Sequence, residues 1–158
     1  MMSDNLPNQC TIKKEVALTG VGLHTGKNVT LTFKPAPVNT GYIFKRIDMD
    51  GEPCIAADAN YVTNTQRGTN LEKDGVTIQT SEHVLAALVG LQVDNCILEL
   101  NASEPPIMDG SSKSFVEAIE KAGIVSQDAV REEYVVTEII NYIDQETGSE
   151  ITILPSET

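Results

Sequence analysis

Short apolar–polar alternations dominate the first third of the chain and predict strands over residues 11–18, 28–34 and 42–47, each bounded by Gly, Pro or Asn. Between the first two lies G-V-G-L-H-T-G, whose glycines permit positive φ and close backbone approach, as a shaped hairpin connection requires. Residues 52–80 read as further short strands with turns at 64–68 and 73–75, ending in the alternating run V-T-I-Q. The period then changes. From 81 to 91 the apolar residues Val84, Leu85, Leu88 and Leu91 form the stripe of an amphipathic helix. Thr80 or Ser81 is placed to cap it, and Glu82 sits in the first turn, where the helix dipole favours an anion.

The next run, D-N-C-I-L-E-L, predicts a strand with Cys96, Leu98 and Leu100 on one face and Asn95 and Glu99 on the other. Cys96 is then a core thiol. S-E-P-P-I-M-D-G-S cannot be regular structure, and Asp109 within it is expected to brace the turn or cap the helix region after it. A second helix over 114–122 is stopped by Gly123. Residues 126–133 read as a polar connection, followed by two apolar runs that form a hairpin around Gly148. The order implies an α+β fold, a two-layer sandwich of a mainly antiparallel sheet with two helices on one face. Residues 1–126 make this domain. Residues 127–158 are a linker and the truncated start of a second, similar domain, because a lone two-stranded unit is marginal in water.

Composition narrows the function. Only 4% of residues are aromatic and none is Trp, so the core is built from aliphatic side chains. A formal charge of −12 repels phosphate backbones and disfavours nucleic acid as a partner, although Lys13, Lys27 or Arg67 could gather around a small phosphorylated ligand. No stretch approaches the length of a membrane span, and the N-terminus lacks the layout of a secretion signal. Cys10, Cys54 and Cys96 are too widely spaced for a metal knuckle and fit reduced thiols, so the expected location is cytoplasmic.

Chemistry has few places to reside. His24 and His83 are the chain's two histidines. Glu82 and His83 are adjacent at a helix start and so lie about 100° apart around the helix axis, both near its open end. Such a pair suits an imidazole that holds a metal beside a carboxylate that takes a proton from metal-bound water. A capping acid beside a satisfied surface histidine is the competing reading. The order differs from H-E-x-x-H, which excludes a zincin helix. His24, in the glycine-rich turn, either binds substrate or hydrogen-bonds its loop. That turn lacks the Lys-Ser/Thr ending of a P-loop.

Taken in order, T-G-V-G-L-H-T-G (19–26), P-A-P-V-N-T-G (35–41), S-E-H-V-L-A-A-L-V-G-L (81–91), D-N-C-I-L-E-L-N-A (94–102) and P-P-I-M-D-G-S (105–111) resemble the UDP-3-O-acyl-N-acetylglucosamine deacetylases. The resemblance implies a zinc-dependent amidase that removes acetate from UDP-3-O-(3-hydroxyacyl)-N-acetylglucosamine, the committed step of lipid A synthesis in Gram-negative cytoplasm. It implies Glu82 as general base and His83 as a Zn2+ ligand, and a fold of two similar sandwiches with the site between them. It further implies substrate contacts at Leu23, near the acyl passage, and at His24, Arg67, Gly68 and Thr69. Some relatives place a Cys in that last loop; this chain has none there.

The family's other ligands, a His and an Asp from H-x-x-x-D, together with a further His, belong to the second domain. No histidine follows His83. The expectation is therefore the first half of an enzyme, inactive alone, with the C-terminal half as its partner and an exposed hairpin edge that favours self-association. Some family members are fused to a hydroxyacyl-carrier-protein dehydratase. The alternative is a non-catalytic binding or interaction domain that retains the deacetylase scaffold.

Overall fold

The computed structural model describes residues 7–156. The N-terminal segment inspected for a secretion signal lies mostly outside the described residues. Among the described residues, twelve strands and two α-helices are arranged as a central sheet with satellites. The central sheet takes β2 (Val16–Val21), β3 (Asn28–Pro35), β4 (Tyr42–Arg46), β5 (Cys54–Ala56) and β9 (Cys96–Leu100) in the order β2-β3-β9-β4-β5. Its pairings are antiparallel except for β4 against β9. A smaller antiparallel sheet, β6 (Val62–Asn64), β7 (Asn70–Lys73) and β8 (Val76–Ile78), precedes helix α1 (Glu82–Gly90). Helix α2 (Lys113–Ala122) follows β9. The result is the expected α+β sandwich with its helices on one sheet face.

The alternation along the strands explains which face is covered. Val29, Leu31 and Phe33 of β3, Cys96, Leu98 and Leu100 of β9, and Phe44 of β4 are all buried. Helix α2 presents Phe115, Ala118, Ile119 and Ala122 to this face at helical spacing, and Phe115 meets Phe33 with ring centroids 6.3 Å apart. Helix α1 buries Val84, Ala87 and Leu88, with Leu85 and Leu91 at the margin. Gly123, at φ 79, ends α2 as predicted. Asp109 braces its own turn, its carboxylate accepting from both the Ser111 amide and hydroxyl.

Several expectations need correction. The strand expected over 11–18 is two strands. β1 (Asn8–Ile12) and β2 are separated at Lys13, Lys14 and Glu15, three exposed charged residues, and the Lys13 amide donates to Gly123 O. The connection expected at 126–133 is largely strand β10 (Ile124–Val130), which pairs antiparallel with β1. Its alternating exposed and half-buried pattern carries little apolar signal, because main-chain pairing rather than core burial holds it. Asn95, expected only to lie opposite the apolar face of Cys96, Leu98 and Leu100, is buried. It is 1% exposed and saturates its amide: Oδ1 accepts from Thr40 N and Gly41 N, and Nδ2 donates to Gln9 Oε1 and Gln127 Oε1. That single side chain joins β1, β10 and the 39–41 turn to the start of β9.

The predicted hairpin is present as β11 (Ile140–Ile143) and β12 (Glu150–Ile153), which among the described residues pair only with each other. All eight of its strand residues are exposed, Tyr142 and Ile151 among them.

Two measurements test this architecture. Asn95→Ala strands several buried donors and acceptors at once and is expected to cost about 2–4 kcal/mol in denaturant unfolding; a loss below about 1 kcal/mol would contradict the bridging role. Burial pushes the Cys96 thiol up to about 12. A thiol reagent added to the folded protein near neutral pH should therefore modify exposed Cys54 promptly and Cys96 only after denaturation. Native labelling of Cys96 at a rate like that of Cys54 would contradict the packing.

Candidate active site

The start of α1 is held from outside the helix. Ser81 occupies the N-cap position but makes no side-chain cap, contrary to expectation. Its amide and hydroxyl instead both donate to Thr69 O, at 3.1 and 2.9 Å. The Thr69 amide returns a bond to Glu82 Oε2 at 2.8 Å. The loop before β7 is thus stitched to the first turn of α1 in both directions. Glu82 and His83 remain about one-third exposed, with Glu82 Oε1 3.9 Å from His83 Nε2. Both side chains are open to a ligand, and neither is consumed by the core.

Gly68 shapes the space beside them. At φ 155 it adopts a backbone that side chains disfavour, and a Cβ there would lie 3.4 Å from Glu82 Oε1 and 3.5 Å from Thr80. Arg67 before it, at φ 67, and buried Thr80, at φ 51, are both in the left-handed region without being glycine. For β-branched Thr80 this is strained, and strain of this kind persists only where surrounding bonds impose it.

For Thr80 these bonds come from Asn70, whose Oδ1 accepts from the Thr80 amide at 3.3 Å, and from Glu104. This carboxylate is fully buried, and no ion pair to it exists among the described residues. Oε1 accepts from the Thr80 hydroxyl at 2.9 Å and from the His24 amide at 3.1 Å, and Oε2 accepts from the His24 and Thr25 amides at 3.1 and 3.0 Å. Burial raises its pKa, but the bonds from Thr25, His24 and Thr80 together outweigh that and leave it below the ordinary 4.5. Glu104 is accordingly an anion at neutral pH. The His24 imidazole closes the circuit. Its Nε2 lies 3.3 Å from Arg67 O, and because a carbonyl only accepts, Nε2 carries the proton.

The structure thus brings His24, Arg67, Gly68, Thr69, Glu82 and His83 to one place. His24 and Arg67 also line a cleft of about 140 Å³ with Gln66, Asn70 and Gln79. Leu23 is on the same turn, 55% exposed. Sequence reasoning missed Glu104 and the roles of Thr80 and Ser81. An acid ahead of two prolines gives no periodic signal, and its partners lie 24 to 80 positions away.

A catalytic zinc takes about three protein ligands. Here the partly exposed His83 imidazole fits as one, but among the described residues no group of three or more His, Cys, Asp and Glu is arranged to hold a metal. Nor is any helix of the described residues long and apolar enough to cross a membrane.

The family described as UDP-3-O-acyl N-acetylglycosamine deacetylase (LpxC) matches residues 9–158. The bifunctional enzyme LpxC/FabZ of Bacteroides thetaiotaomicron is 48% identical over 149 residues, covering 94% of this chain and 32% of that protein. The bifunctional enzyme LpxC/FabZ of Chlorobaculum tepidum is 49% identical, covering 95% and 32%. The UDP-3-O-acyl-N-acetylglucosamine deacetylase of Chromohalobacter salexigens is 47% identical over 147 residues, covering 93% and 48%. The chain therefore spans about a third to a half of the length of these relatives. With the family matched across nearly all of its residues, the chain belongs to the UDP-3-O-acyl-N-acetylglucosamine deacetylase family.

Proposed function

We propose that this chain is the N-terminal portion of a zinc-dependent deacetylase that hydrolyses the acetamide of UDP-3-O-acyl-N-acetylglucosamine in lipid A synthesis, in the cytoplasm. The observation that carries the reading is the Glu82–His83 pair: half-open, at the N-terminus of α1, with Glu82 steered by the Thr69 amide. Glu82 is the general base. Thr69 N occupies Oε2, which leaves Oε1, the oxygen nearer His83, to take a proton from the attacking water. His83 is one zinc ligand, and the others come from the part of the protein that the longer relatives possess and this chain does not. When bound, the metal supplies Lewis acidity toward the amide carbonyl.

The turn with Leu23 and His24 and the loop with Arg67, Gly68 and Thr69 flank this pair and are assigned to the substrate. Leu23 supplies apolar contact for the acyl chain, His24 and Arg67 polar contact, and Gly68 the clearance beside Glu82. In this reading residues 1–126 form the first domain and 127–158 a connection and the start of the second. The self-paired hairpin β11–β12 supports that division, while the β1–β10 pairing carries the first domain's contacts on to Val130. The 158 residues alone are inactive.

Acetate release from a UDP-3-O-acyl-N-acetylglucosamine, measured on the protein at the full length of its relatives, tests the reading. Turnover is expected there and none above buffer from this segment. Glu82→Gln, which keeps an acceptor for Thr69 N, should lower kcat by about 10²–10⁴ at unchanged thermal stability. A folded, zinc-loaded full-length protein without acetate release would defeat the proposal, and activity in the segment alone would overturn its inactivity.

A further inference from the structure

We infer that Glu104 is a positioning residue for this reaction: its buried carboxylate holds the glycine-rich turn and the start of α1 in the arrangement that presents His24 and Glu82. The inference rests on the deacetylase reading for its kinetic consequence, and on the hydrogen bonds around Glu104 for its structural one. Glu104 makes its hydrogen bonds to His24, Thr25 and Thr80 rather than to Glu82 or His83, and it acts through two arms.

One arm runs through the turn. The amides of His24 and Thr25 converge on Glu104, and this fixes where the His24 ring leaves the backbone and hence its bond to Arg67 O. The other runs through Thr80. Its hydroxyl bond to Glu104 holds a β-branched residue at φ 51, and Ser81 and Glu82 follow directly. From Arg67 the chain continues to Thr69, whose amide meets Glu82, so the two arms close into one ring of bonds around the site.

The chemistry of the centre suits a carboxylate. The His24 and Thr25 amides, which can only donate, and the Thr80 hydroxyl aim at one buried group, and a carboxylate accepts from all three at once. An amide satisfies both backbone donors only through its oxygen, so its NH2 must face the Thr80 hydroxyl and reverse that bond, and it brings no charge to either loop. A buried anion with no cation is costly unless such bonds satisfy it, so the carboxylate and the loops around it impose each other's geometry. Gly22 shows how tightly the turn closes. A Cβ there would lie 2.6 Å from Glu104 Oε2 and 2.4 Å from Thr25 Oγ1.

The test uses the full-length protein and compares wild type, Glu104→Gln, His24→Ala and the double variant, in acetate release and in thermal stability. Glu104→Gln is expected to lose about 10- to 100-fold in kcat/KM, as small misplacements of catalytic groups do. If Glu104 acts through the turn that carries His24, the double variant loses clearly less than the product of the single losses. A scaffold role alone would lower the melting temperature and let the two losses multiply. Gly22→Ala keeps the carboxylate while displacing the turn, so it should reproduce the kinetic loss; it decides the matter should Glu104→Gln not fold.

Hydrogen exchange supplies a readout independent of catalysis: the His24 and Thr25 amides should be protected in wild type and exchange at least about tenfold faster in Glu104→Gln. A wild type that releases no acetate defeats the functional reading alone, and the exchange result then decides the positioning claim. Folded variants with kcat/KM within twofold of wild type, multiplicative losses, or unchanged exchange at residues 24 and 25 would each overturn it.

Discussion

A carboxylate sealed from water must find donors or lose its charge, and in this chain that requirement falls on Glu104. No cation meets it among the described residues. Its donors are two backbone amides and one hydroxyl, drawn from segments that the sequence keeps far apart. Satisfying it therefore fixes the course of the glycine-rich turn and the unusual backbone of Thr80 together. The open Glu82–His83 pair stands at the end of that constraint. The central sheet and helices provide a rigid floor, but loop-to-loop bonding sets the relation between the candidate catalytic groups.

A second buried polar group plays the corresponding part at the other side of the fold. Asn95 ties β1, β10 and the 39–41 turn to β9 through an amide whose four valences are all used. Both residues show polar side chains specifying how irregular segments dock, where apolar burial alone would leave several arrangements of similar energy. A chain with 4% aromatic residues relies on such bonds more than one with bulky rings to lock its loops.

Much of the regular structure was legible in the sequence. Helical spacing predicted α1 and α2 to within a residue or so, and alternation identified the buried face of β9, because burial itself writes those periods. The illegible parts have a common cause. The break at Lys13–Glu15 depends on Gly123 O, strand β10 depends on the main chain of β1, and Asn95 and Glu104 depend on partners that only the fold brings near. None of these leaves a local period. At the site, the adjacency of Glu82 and His83 and the glycines of the turn were visible, whereas the carboxylate that connects them was hidden in a loop that read as irregular.

In the function proposed above, this chain contributes one ligand and the general base to a zinc site completed elsewhere in a longer protein. Zinc per chain, determined by mass spectrometry after dialysis against a metal buffer, tests it most directly. About one zinc is expected in the full-length protein, far less than one in residues 1–158 alone, and loss of the metal from full-length His83→Ala. Full zinc retention in that variant would contradict the account.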